Sequence, residues 1–265
     1  MPAAVLLALL LAAACSVKED RRECPCYVHL MVDEFLRAGL PEAVVAFSSG
    51  GLGCTETLDL TVYKGEGYEQ QLPRSPAKVA VAAGLASGKV EGESIVVPYG
   101  SEVDPLWQYV EEFVCEGDDK YLRAVPCKQY CTLTIVLTGI GDDDGGCALK
   151  VYAGSSDLGL YTGVPDGGKY CAEARRSGPM LYTVRIPRQA GNDLKLEICT
   201  AEGKDGLPAA EPKVLDLGRE FSDAGYDWDR RNLLDASAVV DYARAEISFD
   251  IADWDIDGSF GNVEI

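Results

Sequence analysis

VPCKQYCTLTIVLTG, residues Val125–Gly139, is the stretch on which the fold turns. From Cys131 onward apolar and hydroxylated side chains alternate with period two, and β-branched residues dominate, the pattern of a half-buried strand. The run reaches back to Val125, so one extended segment passes from an upstream sheet to a downstream one near Lys128. Upstream, the same pattern recurs at Tyr27–Asp33, Ala43–Ser48, Thr57–Tyr63, Lys78–Ala83, Glu93–Val97, Tyr109–Cys115 and Tyr121–Val125. Downstream of Cys131–Gly139 it recurs at Ala148–Ala153, Met180–Pro187, Leu194–Thr200, Lys213–Leu217, Ala238–Tyr242 and Ala245–Ala252. Clusters of Gly, Asp and Pro at Ser49–Gly53, Gly139–Gly146 and Pro165–Gly168 mark turns. Helical pattern is confined to Asp33–Leu40 and Gly218–Ala224. Short strands separated by regular turns predict an all-β protein of two tandem β-sandwiches, over 24–128 and 129–265. One larger sandwich or barrel is the alternative.

The N-terminus supplies an address. Residues 3–14 are an unbroken apolar run of twelve, too short for the ~20 residues that cross a bilayer and suited to the core of an export signal. It ends in Ala12-Ala13-Ala14-Cys15, the small residues before cysteine that resemble a bacterial lipobox. The reading is a signal peptide over 1–14, a lipid on Cys15 and a linker over 15–23. Lys18, Glu19 and Asp20 match a signal that sends lipoproteins to the cell surface.

Against 24 basic residues stand 43 acidic ones, a net charge of −19. Binding phosphate backbones or anionic lipid headgroups takes clustered Lys and Arg, so nucleic acid and polybasic membrane docking are excluded as partners. Beyond Cys15 lie nine cysteines, Cys24, Cys26, Cys54, Cys115, Cys127, Cys131, Cys147, Cys171 and Cys199. An exported chain meets an oxidising compartment, so their pairing stays open. Cys127 and Cys131 are not expected to pair directly, since four residues of strand span ~13 Å and a disulfide allows ~7 Å between Cα atoms. Cys24 and Cys26 are borderline by the same arithmetic. Buried, unpaired small hydrophobes is the preferred reading for most of them. With no C-x-x-C and one histidine, zinc is not expected.

Enzymatic patterns are weak. His29, the one histidine, sits in an alternating run with no G-x-S-x-G elbow anywhere. Gly163–Lys169, GVPDGGK, has P-loop spacing, but Tyr170 stands where the motif needs Ser or Thr, so it reads as a loop. Asp253, Asp255, Asp257, Gly258 and Glu264 satisfy D-x-D-x-D-G-x5-E, whose carboxylates would converge on calcium. Ile247, Phe249 and Ile251 alternate like a strand where an entering helix belongs, so Asp255–Asn262 is read as a hairpin loop and calcium as the lesser alternative. Asp142-Asp143-Asp144 is a weaker case of the same kind. Tyr226–Trp228 and Trp254 are read as core in preference to a sugar platform. No cofactor is expected beyond the lipid.

Several segments together resemble one family. CSVKEDRRECPCYVHLMVD (Cys15–Asp33), IVVPYG (Ile95–Gly100), VRIPRQ (Val184–Gln189), and GYDW (Gly225–Trp228) ahead of VDYARAEISFDIADW (Val240–Trp254) are similar to segments of fimbrillin-type anchor and minor subunits of type V fimbriae. The resemblance implies two transthyretin-like Greek-key sandwiches and a non-enzymatic, structural role. It implies an outer-membrane lipoprotein at the fimbrial base that attaches and limits the shaft by strand addition, with shaft and accessory subunits as partners. The resemblance implies that stalk subunits lose an N-terminal strand to a trypsin-like protease and that a base anchor must not. Arg21, Arg22 and Arg37 are potential cut sites here, and cleavage would separate the anchor from the membrane. The alternative is a surface lipoprotein that binds glycan or host protein through loops such as Gly154–Gly168.

Overall fold

A computed structural model of the chain describes residues 24–140, 147–200 and 211–252. Strands are numbered here in chain order. In the first sandwich β1 (Cys26–Met31) lies between β4 (Tyr68–Leu72) and β9 (Asp119–Arg123). The facing sheet runs β10 (Cys127–Lys128), β8 (Trp107–Val114), β5 (Pro76–Ala83), β2 (Glu42–Ser49), β3 (Leu52–Asp59). Cys26, Val28 and Leu30 point inward from β1 onto Val45 and Phe47, Val79 and Val81, and Tyr109 and Phe113. The β2–β3 hairpin turns on Gly50 and Gly51, both at positive φ (57° and 82°), which is the requirement of a tight two-residue turn.

The second sandwich packs β16 (Arg175–Gly178), β17 (Leu181–Pro187), β11 (Tyr130–Thr138), β20 (Asp235–Asp241) and β21 (Glu246–Ala252) against a second sheet. That sheet is β15 (Tyr170–Glu173), β12 (Cys147–Ala153), β18 (Leu194–Thr200) and β19 (Lys213–Asp216). In both sandwiches the first strand pairs in parallel with a strand from the sandwich's last part, β1 with β9 and β11 with β20. The remaining pairings in these sheets are antiparallel. The all-β, tandem-sandwich expectation is met.

Two short helices, α1 (Asp33–Arg37) and α2 (Leu217–Asp223), cover edges of the cores. A side-chain oxygen of Asp216 accepts from Arg219 N at 3.1 Å and caps α2. Among the described residues no helix is long and apolar enough to cross a membrane.

A fifth sheet, β14 (Pro165–Gly167), β13 (Asp157–Gly159), β7 (Ser94–Val96) and β6 (Lys89–Glu91), draws strands from both halves of the chain. It lies on the outer face of the β5–β2 sheet, where Ala46, Ala80 and Ala82 meet Ile95, Leu106, Leu158 and Leu160. Alanines permit this third layer to approach closely. They also explain why β5 is buried on both faces along most of its length, where the sequence suggests one.

Three expectations are corrected. Thr57–Tyr63 is not one strand: β3 ends at Asp59, which caps a 3-10 turn over Leu60–Tyr63 by accepting from Thr61 N at 2.9 Å. The first strand stops at Met31, and Asp33 opens α1. Gly154–Gly168 is not a free loop, since β13 and β14 pair there and Leu158 and Leu160 are fully buried.

Candidate functional site

Two regions position the features that bear on function: the strand that follows the N-terminal linker, and the joint between the sandwiches. β10 pairs with the Trp107–Gln108 end of β8, beside the joint, and the Val114 end of β8 pairs with Pro76. Eight strand residues separate these ends by about 25 Å. Cys24 lies beyond the Val114 end. There Arg74 donates from Nε to Cys24 O (3.0 Å), from Nη1 to Glu116 O (3.5 Å) and from Nη2 to Asp118. The described chain therefore begins at the pole of the first sandwich that faces away from the second.

β1 is clamped at its other end too. Glu34, in α1 just after it, accepts from Arg123 at the end of β9 and from Arg37. These two guanidiniums hold its carboxyl below the usual range. His29, halfway along, places Nε2 3.0 Å from Asp119 Oδ1 and Nδ1 3.7 Å from Glu69 Oε2, and stacks on Tyr121 at 4.5 Å. No nucleophile accompanies it among these contacts, so it stands as a strand-face residue.

The joint is polar and buried. Gln129, between β10 and β11, donates its N–H to Leu106 O (3.0 Å) and accepts at its carbonyl from Arg188 N (3.0 Å). Lys128, 7% exposed, puts Nζ 2.6 Å from Asp235 Oδ1, which also accepts from Thr132 N at 2.6 Å. Arg188, 6% exposed, donates to Gln129 Oε1 (2.7 Å) and to the carbonyls of Trp228, Arg230 (2.9 Å) and Arg231 (3.2 Å). Burial lowers its pKa, and these acceptors are what make a buried guanidinium tolerable. Gln108 bridges from β8 to the fifth sheet by donating to Gly159 O (3.1 Å) and Leu160 O (2.8 Å). β21 reaches here as well, since Ala252 is the partner of Asp235.

A cleft of about 480 Å³ beside the joint contains two carboxylates, Glu111 and Asp229. Both are exposed, and Glu111 accepts from the Tyr109 hydroxyl. They are not the buried pair that glycoside hydrolysis uses. No cluster of three metal-binding side chains occurs among the described residues.

Cys15, Lys18, Glu19 and Asp20 lie outside the described residues, as do Arg21, Arg22, Asp142–Asp144, Asp253, Trp254, Asp255, Asp257 and Glu264. Arg37 ends α1. Tyr226 and Trp228 are core: the Tyr226 hydroxyl donates to Leu234 O (2.6 Å), and Trp228 Nε1 donates to Asn192 Oδ1 (2.6 Å). Arg188 and Gln189 of VRIPRQ are buried connectors, whereas Tyr99 of IVVPYG is exposed. Sequence reasoning misses Lys128–Asp235 and Gln108 as joint residues, because their partners lie 51 to 107 positions away.

No protein-family model and no curated protein matches the chain. Solved structures match nearly all of it. The fimbrial anchor protein Mfa2 from Porphyromonas gingivalis aligns with a TM-score of 0.56 at 11% identity, over 87% of this chain and 98% of that one. A candidate adhesin from Bacteroides ovatus gives 0.57 at 12% identity, over 90% and 95%. A candidate polysaccharide-binding protein from Bacteroides thetaiotaomicron gives 0.56 at 11% identity, over 89% and 100%. What this chain shares with them is the tandem-sandwich fold, the one the family resemblance implies.

Proposed function

We propose that the chain is a structural subunit of a cell-surface fimbrium, lipid-anchored in the outer membrane through Cys15 and acting at the base of the shaft. The position of residue 24 carries this reading. The linker over 15–23 spans at most ~30 Å, and it joins the first sandwich at the pole opposite the second. A lipid on Cys15 therefore holds the first sandwich at the membrane and directs the second outward. Lys18, Glu19 and Asp20 fall within that linker, where they serve as the surface-export signal on this reading. A solved fimbrial anchor shares the fold.

Among the described residues β21 forms an edge of the outward sandwich, with main-chain groups unpaired along one side. Strand addition to such an edge joins subunits through main-chain hydrogen bonds, with alternate side chains giving selectivity. The partners on this reading are shaft and accessory subunits, and no catalysis is involved. The net charge of −19 keeps such a surface protein solvated. Glycan binding through 154–168 is the lesser reading, because Leu158, Leu160 and Tyr161 of that segment are spent on the third layer.

Photo-cross-linking from Ser248, on the exposed face of β21, in intact cells tests the assembly role. Recovery of a fimbrial subunit is expected. Recovery of none, together with selective binding of the soluble protein on a glycan array, would overturn it.

A further inference from the structure

We propose that Cys26 and Cys115 form a disulfide that joins β1 to the opposite sheet of the first sandwich. Both side chains lie in one core, at 0% and 2% exposure, and the two thiols neighbour each other there. The backbone around them is fixed from several directions. Tyr27 N donates to Asp118 O at 2.7 Å and Cys115 N donates to Ser75 O at 3.2 Å. Cys26 pairs with Leu72, and Val114 with Pro76, so the segments bearing the cysteines flank one connection between β4 and β5. Arg74, in that connection, grips Cys24 on one side and Glu116 and Asp118 on the other. Other thiols face different partners: Cys127 accepts from Arg231 Nε at 3.1 Å, and Cys199 Sγ lies 3.5 Å from Glu197 Oε1.

The chemistry is thiol–disulfide exchange with a disulfide-bearing oxidase of the export compartment. One thiolate attacks the oxidase disulfide and forms a mixed disulfide. The second thiolate displaces the oxidase sulfur, leaving Cys26–S–S–Cys115 and a reduced dithiol that carries the two protons and two electrons. Burial and then the neighbouring Cys26 push the Cys115 thiol up to about 12, so the packed protein holds almost no thiolate. The bond therefore forms before the core closes, during folding after export. Its use rests on the anchor reading: tension between membrane and shaft enters the fold at β1, and the disulfide gives that strand a second covalent path. The bond itself does not depend on that reading.

The test is peptide mapping of the full exported chain, recovered from cells lysed in excess alkylating agent and digested without reductant. A peptide linking Cys26 to Cys115 is expected, with neither residue alkylated. Alkylation of both, or linkage of either to another cysteine, would overturn the proposal. Reduction is expected to lower the thermal midpoint of the wild type by roughly 5–10 °C and to leave that of Cys115→Ala unmoved. An equal effect of reductant on both would count against it. Should the variant not fold, the wild-type map decides alone. A linked peptide in a chain that takes up no lipid would sink the anchor reading and leave the disulfide standing.

Discussion

Asp104 shows how one carboxylate can organise a chain crossing. Its Oδ2 accepts from Ala86 N (2.9 Å), Ser87 N (2.6 Å), Ser87 Oγ (3.1 Å) and Gly88 N (2.8 Å). Burial alone would raise its pKa, but the amides of Gly88, Ser87 and Ala86 and the Ser87 hydroxyl outweigh it, and the result lies below the ordinary 3.8. A depressed carboxylate stabilises the fold above its unfolded pKa and loses that contribution as pH falls through the folded value. Asp104→Asn is therefore expected to cost about 1–2 kcal/mol at pH 7, allowing for partial exposure, and less at pH 2–3. Urea titrations across that range would show the two proteins converging, and a constant difference would contradict it. Arg188 is the stricter case. Arg188→Ala strands four acceptors at the joint and is expected to cost at least ~3 kcal/mol, with Lys a poor substitute for a planar donor fork. Chemical denaturation of the three proteins measures it. Neither role was legible in the sequence, where an arginine after a strand and an aspartate before one look like solvated residues. Their burial comes from segments distant along the chain.

At the level of elements, the strands with apolar alternation were readable and the others were not. β4, YEQQL, buries only Tyr68 and Leu72, and β16, RRSG, buries nothing fully, so their pairing has no hydrophobic signature. β13 contributes Leu158 alone as a large apolar side chain, yet it seeds the third layer. Thr61, Val62 and Tyr63 have strand propensity, but the Asp59 cap overrides it. The third layer makes a sharp prediction. Ala80 is fully buried between sheets, so Ala80→Leu is expected to destabilise by about 1–3 kcal/mol through overpacking, and Ser248→Leu, at an exposed position, hardly at all. The β20–β21 hairpin gives one of opposite sign. Ala245 has φ +57°, which an L side chain tolerates poorly. Ala245→Gly should add about 0.5–1 kcal/mol, and a loss of stability in thermal melts would contradict this.

Across the whole molecule, the two sandwiches reuse one topological device, a first strand closed in parallel by a late one, without any repeat in sequence. The device was invisible beforehand because parallel closure needs only a buried strand in the right place, and many sequences provide that. Joined end to end through Lys128 and Gln129, with the chain entering at the far pole, the pair forms a spacer, and on the proposed reading its entry pole is the membrane end. Cys15, on which the proposed anchoring depends, is read only from the small residues and apolar run before it. The direct test is electron microscopy of cells and culture medium, with immunogold against this chain, in the wild type and in Cys15→Ala. Label at the cell-proximal ends of attached fimbriae is expected in the wild type, and fimbriae shed into the medium in the variant. Fimbriae equally retained in both, or label absent from their bases, would contradict the account.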